Sequence, residues 1–177
     1  MNIASSLETL KLADHEKYPV ATEADLQLTE SAIGVRLPES YRTFVKEFSN
    51  GAYLYMIQEV SSVGQGNPQI APIQGVAPRT PEEVGETLIP YRDGGAVHPQ
   101  HLIPFSLDGN GNAWCFVTDS ESKDDIPVAY MDYNGGKLYA KLASFEEWLS
   151  ILITGEPDEV IRKVCDESII TEELCLG

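Results

Sequence analysis

One stretch of fifteen residues, Leu37 to Gly51, constrains the fold of this chain more than any other. It runs Leu-Pro-Glu-Ser-Tyr-Arg-Thr-Phe-Val-Lys-Glu-Phe-Ser-Asn-Gly and reads as one helix with both ends marked. A first-turn residue has no intrahelical use for its N–H, so Pro38 is expected to open the helix. Tyr41, Phe44, Val45 and Phe48 recur at i, i+3, i+4 and i+7, which is one apolar face. Asn50-Gly51 then supplies the left-handed residue that closes it. A helix with one apolar face has to lie on a core. Nothing in this one can perform chemistry.

The rest of the chain shows what that core contains. Ile3, Leu7 and Leu10 predict a first amphipathic helix, ended at Tyr18-Pro19. Thr22-Glu23-Ala24-Asp25 predicts a capped helix start, with Leu26 and Ile33 on its apolar face and Gly34 as its stop. Ala52 to Val60 suits a strand, and 61–78 is a glycine- and proline-rich loop with one short strand near Ile70 to Ile73. Thr80-Pro81-Glu82-Glu83 predicts another capped helix, followed by a loop from Tyr91 to Gln100. Four strand-like runs follow: Leu102–Leu107, Ala113–Val117, Val128–Tyr133 and Lys137–Leu142. Turn residues separate them, and Asn134-Gly135-Gly136 is a strong hairpin signal because tight turns need positive φ. Ser144-Phe145-Glu146-Glu147 is a second capping box, with Phe145, Trp148, Leu149 and Leu152 on one face of the helix it starts.

Helices, then hairpin-linked strands, then a helix predict an α+β fold: a mainly antiparallel sheet flanked by N-terminal helices and a C-terminal helix. Residues 1–155 are expected to form a single domain. Residues 156–177 carry seven acids and two bases and read as an acidic extension, with a short helix near Glu159 to Cys165 and a frayed end.

The charge balance narrows the partners. There are 28 acidic and 12 basic residues, net −16, so nucleic acid, which needs a basic footprint, is not an expected ligand. A basic partner fits, and so does plain solubility. Cysteines at 115, 165 and 175 are odd in number and lack CxxC spacing, against both a disulfide framework and a thiolate zinc site. The N-terminus has no basic region leading into an apolar run, and no window has the length of a membrane span. A cytoplasmic protein without a membrane partner is the expectation. Nothing in the chain sets an oligomeric state.

Four segments in order resemble the SUKH superfamily, also called the Smi–Knr family. They are Thr22 to Gly34; Leu37 to Gly51; Ile103-Pro104-Phe105-Ser106-Leu107-Asp108-Gly109-Asn110-Gly111-Asn112-Ala113-Trp114-Cys115-Phe116-Val117; and Pro127-Val128-Ala129-Tyr130 leading to Ser144 through Leu149. The resemblance spans about residues 20–153. It implies an antiparallel sheet flanked by helices, with no catalytic residues to carry over. It also implies a non-enzymatic protein that works by binding another protein. Bacterial members resemble immunity proteins that bind a polymorphic toxin domain, often a nuclease or deaminase. Fungal relatives resemble regulatory scaffolds of cell-wall synthesis. The loop from Ser61 to Gln100 is long for the family, and the acidic tail extends past the shared core.

Motifs that could carry chemistry are weak. Asp108, Asn110, Asn112 and Asp119 match positions 1, 3, 5 and 12 of a calcium loop, but position 6 is Ala113, not the glycine the sharp turn needs. A hairpin turn is the better reading. His98 and His101 flank Pro99 in a loop, not one face of a helix, so surface histidines are expected. Asp14-His15-Glu16 reads as a solvated triplet, and Gly64-Gln65-Gly66 lacks the third glycine and the helix of a phosphate loop. Cys115 alternates with Trp114 and Phe116, so either it or its neighbours face the core as inert packing. Trp114 and Trp148 read as core anchors, with partial exposure the other reading. No cofactor or metal is expected. The candidate binding residues are surface acids that a basic toxin would meet: Glu82, Glu83, Glu86, Glu121, Asp124 and Asp125. The second expectation, of a different kind, is a regulatory scaffold with a cellular partner and no toxin.

Overall fold

A computed structural model of the chain describes residues 18–55, 70–76, 102–107, 113–118, 125–132, 136–153 and 170–173. The expected first helix, the capped helix at 80–83, the loop from Tyr91 to Gln100, the calcium-like residues Asp108, Asn110, Asn112 and Asp119, and His98 and His101 lie outside these residues. So do Asp14-His15-Glu16, Gly64-Gln65-Gly66, Cys165 and Cys175.

Helix α1 is Glu23–Ile33. Thr22 caps it as the sequence requires: its hydroxyl accepts from the Asp25 N–H at 3.3 Å, and the Asp25 carboxylate accepts from the Thr22 N–H at 2.8 Å. Gly34, at φ 78°, ends it. Leu26 and Thr29 face inward and are buried.

Helix α2 is Glu39–Glu47. Its limits differ from the expectation at both ends. Pro38 is the cap and not the first helical residue, with ψ at 143°. At the other end Phe48 caps the helix in a right-handed conformation, so Asn50-Gly51 lies beyond the stop. Asn50 has another task. It is buried, its amide N–H donates to the Val76 carbonyl at 2.9 Å, and its side-chain oxygen accepts from the Val76 N–H at 2.7 Å. The contact leaves no room at Gly75, where a Cβ would fall 2.4 Å from the Asn50 carbonyl oxygen. A residue that resembles a helix cap is therefore a clasp between segments 26 positions apart.

Strands β1 (Ala52–Tyr55) and β2 (Ile70–Ile73) form an antiparallel pair, Ala52 opposite Ile73. The residue after β2 links this pair to the main sheet. Gln74 donates its N–H to the Phe105 carbonyl at 2.8 Å, and its own carbonyl accepts the Tyr41 hydroxyl of α2. The main sheet contains β3 (Leu102–Leu107), β4 (Ala113–Val117), β5 (Val128–Asp132), β6 (Lys137–Leu142) and β7 (Ile170–Glu173), in that spatial order. Every neighbouring pair is antiparallel. Leu107 of β3 pairs with Ala113 of β4. Among the described strands β3 is an edge of this sheet, with β4 as its neighbour, and an edge strand tolerates the missing N–H of Pro104. Helix α3 (Phe145–Ile153) follows β6, with the Ser144 hydroxyl accepting from the Glu147 N–H at 3.0 Å. The Glu147 carboxylate accepts from Ala143, one residue before the capping position.

Strand β7 departs from the expected frayed end. Ile170 and Thr171 are β-branched, but the strand exists because β6 offers an edge to pair with, and pairing over that separation has no local signature. The expected helix near Glu159 to Cys165 lies outside the described residues.

Both faces of the main sheet are buried. One face and the helices share Tyr41, Phe44, Phe105, Phe116, Phe145 and Trp148. Phe105 and Phe116 stack at 4.5 Å between ring centres, and Phe105 meets Trp148 edge-on at 5.0 Å. The other face buries Leu102, Ala113, Cys115, Val117, Ala129, Met131 and Leu138. The choice at β4 between Cys115 and its neighbours thus resolves as both: Phe116 lies on one face and Cys115 on the other.

Candidate protein-binding surface

The helix pair is where acidic side chains can be followed in full. Arg42 on α2 is only 3% exposed and binds the carboxylates of Glu23 and Glu30 on α1. Glu30 also accepts the Leu37 N–H at 2.8 Å, Lys46 reaches Glu23 at 3.2 Å, and Arg36 pairs with Glu39 at 3.4 Å. Burial alone would lower the Arg42 guanidinium, but the Glu30 and Glu23 carboxylates outweigh it and raise it. Lys46 and Arg42 hold the Glu23 carboxyl below its ordinary range. Glu23, Glu30 and Glu39 are matched by Arg36, Arg42 and Lys46; with Asp25 and Glu47, residues 23–47 carry five acids and three bases, so most of the net −16 lies elsewhere on the chain. Sequence reasoning gave Arg42 no role. A lone arginine on an otherwise apolar helix face was the available signal.

The outward side of α1 is uncharged. Ala24, Gln27, Leu28, Ser31 and Ala32 are exposed, Leu28 at 58%. At the end of α1 an open depression is bordered by Glu30, Ser31, Gly34 and Arg36. It holds no nucleophile–base pair.

Of the six expected acids, Asp125 alone lies in the described residues; Glu82, Glu83, Glu86, Glu121 and Asp124 lie outside them. Asp125 is half-buried. It accepts from the Ser40 hydroxyl at 3.3 Å and from the Ile126 N–H at 2.9 Å, which fastens the approach to β5 onto α2. Burial pushes its carboxyl up, the two hydrogen bonds pull it down, and Glu146 adds to the rise; the net direction is up.

A row of aromatics crosses the sheet. Trp114 on β4 pairs with Tyr130 on β5, and Tyr130 with Tyr139 on β6. Trp114 and Tyr130 are half-buried, and their rings meet edge-on at 5.5 Å. Trp148, fully buried on α3, backs Trp114 at 6.2 Å. Trp148 is thus the core anchor expected, and Trp114 is partly open. A rigid, supported, half-open aromatic pair is the chemistry that binding surfaces use as anchors.

Cys115 is fully buried, and burial pushes its thiol well up, so it stays protonated and unreactive. Among the described residues, no group of three or more His, Cys, Asp or Glu is placed to hold a metal ion, and no helix is long and apolar enough to cross a membrane.

Comparison with known proteins agrees with this architecture. No curated protein and no solved structure matched the chain. A protein-family model did match, over residues 20–151, which runs from the residue before Ala21 into the last turn of α3 and contains the helix pair and β1 through β6. The chain belongs to the SMI1 / KNR4 family (SUKH-1).

Proposed function

We propose that this chain is a non-catalytic protein-binding domain of the immunity type, which binds and neutralises a cognate polymorphic toxin of the nuclease or deaminase kind. One observation carries the reading: Glu23, Glu30 and Glu39 are neutralised by Arg36, Arg42 and Lys46, so the net −16 rests on the remaining residues. A nuclease holds phosphate with basic groups. An acid-rich inhibitor meets those groups with complementary potential, which speeds encounter and rejects wrong partners. Glu82, Glu83, Glu86, Glu121 and Asp124 are the carboxylates proposed for that contact. Asp125, the inner end of the set, fastens the segment to α2. Trp114 and Tyr130 are the proposed aromatic anchors. The family match supports a protein partner, and the mechanism is occlusion of the toxin's active site in the cytoplasm.

The test is reconstitution with the toxin domain encoded beside the gene. The expected result is loss of toxin activity at equimolar protein, with an association rate that falls as salt rises. Full toxin activity in stoichiometric excess of this protein ends the reading for that pair. The family description, which is shared with SMI1 and KNR4, favours a second reading: a regulatory or scaffold protein with a cellular partner. That reading predicts binding without protection and a gene with no adjacent toxin.

A further inference from the structure

The main sheet has two outer edges, and they are finished differently. On the β3 side, the Gln74 N–H engages the Phe105 carbonyl. On the other side β6 is covered by β7. The family match ends at residue 151, so β7, at Ile170–Glu173, is added to the sheet from beyond the family unit. Without it the sheet has four strands and β6 is an open edge.

That edge invites pairing. β6 is six residues, Lys-Leu-Tyr-Ala-Lys-Leu, with Leu138 and Leu142 buried. An uncovered strand of this kind presents a row of free N–H and C=O groups to any other strand. β7 does not. It has four residues, ends in Glu172-Glu173, and carries one extra residue, Thr171, between the pairs Leu138–Glu172 and Tyr139–Ile170. Shortness, charge and a bulge are the features by which sheet edges refuse further strands. In the register Lys137 lies opposite Glu173.

We propose that β7 is a guard strand whose task is to keep the β6 edge from pairing with the β6 edge of a second copy. A strand edge is self-complementary about a two-fold axis. With Tyr139 opposite Ala140 of the other copy, each lysine of β6 falls opposite a leucine, so no like charges meet in that ladder. Edge-to-edge contact through β7 instead gathers four glutamates in one short ladder between two chains of net charge −16. This inference is independent of the toxin reading.

The experiment uses the full chain carrying Thr171→Pro and Glu172→Pro. Neighbouring N–H groups of a strand point to opposite edges, so one of the two prolines removes a donor facing β6. Sedimentation equilibrium at matched concentrations and moderate salt compares it with the unaltered chain. The expected result is self-association strengthened by at least about tenfold, with cooperative unfolding retained. Excess synthetic peptide spanning residues 166–177 should return the variant to the behaviour of the unaltered chain. A folded variant with unchanged mass distribution overturns the proposal, and so does association that the peptide leaves intact. Loss of cooperative unfolding overturns it too, because β7 would then be part of the fold and not its guard.

Discussion

Replacing Asn50 by alanine tests the clasp that joins the turn after α2 to the segment after β2. The Asn50 amide satisfies both backbone groups of Val76, which is fully buried. Alanine removes both partners, and each buried group left without one costs about 1–3 kcal/mol. The sum is about 2–6 kcal/mol, and about 4 is expected, a large share of the stability of a single domain. Urea unfolding followed by the fluorescence of Trp114 and Trp148 measures it, with an unchanged denaturant slope required for a two-state reading. Asn50→Asp sharpens the test. An ionised carboxylate can accept the Val76 N–H but has nothing to donate to the Val76 carbonyl, so at neutral pH it costs at least as much as alanine. Its folded-state pKa is therefore raised, and the variant regains stability as pH falls and the protonated acid recovers a donor. A loss below about 1 kcal/mol for Asn50→Ala, or a flat pH response for Asn50→Asp, refutes the reasoning.

Four further outcomes are expected. Arg42→Met leaves Glu30 part-buried with, among the described residues, the Leu37 N–H as its remaining partner, and chemical denaturation should show a loss of about 3 kcal/mol. Glu23 and Asp125 should give pH slopes of opposite sign. The Glu23 carboxyl is lowered, so its contribution is present above the ordinary carboxylate pKa and lost as pH falls through its folded pKa, and Glu23→Gln flattens that acid-side loss. The Asp125 carboxyl is raised, so its contribution is present below the ordinary pKa and lost as pH rises through its folded value; stability curves for Asp125→Asn should gain on the unaltered chain as pH rises through that range. In a Cys165→Ser, Cys175→Ser background, Cys115 should react with a thiol reagent only at the rate of unfolding, and rapid labelling of the folded protein would contradict its burial. Trp114→Ala and Tyr130→Ala should each weaken partner binding by more than about tenfold, equivalent to about 1.4 kcal/mol, in titration calorimetry.

Local chemistry was legible wherever the responsible residues are near in sequence. Thr22 and Asp25 cap α1 from three residues apart, and Gly34 stops it because glycine accepts positive φ at no steric cost. Tyr41, Phe44 and Val45 are buried at the helical spacing that predicted it. Strands Ile70–Ile73, Leu102–Leu107, Ala113–Val117 and Lys137–Leu142 stand at their expected limits, and the family resemblance over about 20–153 corresponds to a match over 20–151. The acidic balance, and with it the expectation of a basic partner, is a property of composition.

What pairs across distance was not legible. Asn50 has the sequence signature of a helix cap, and only the approach of Val76 makes it a clasp. Arg42 became the centre of a charge network because α1 brings Glu23 and Glu30 to it. Asp125 looked like any other surface acid until α2 placed Ser40 against it. Strand β7 formed where the tail alone offered only a frayed end, because a strand is completed by the edge it meets. Periodicity and caps are set by residues within a turn or two of each other, so the sequence determined the elements and their order. Hydrogen-bond partners and buried charges belong to residues far apart in the chain, so only the packed structure decided which acids are spent on the fold and where the sheet ends.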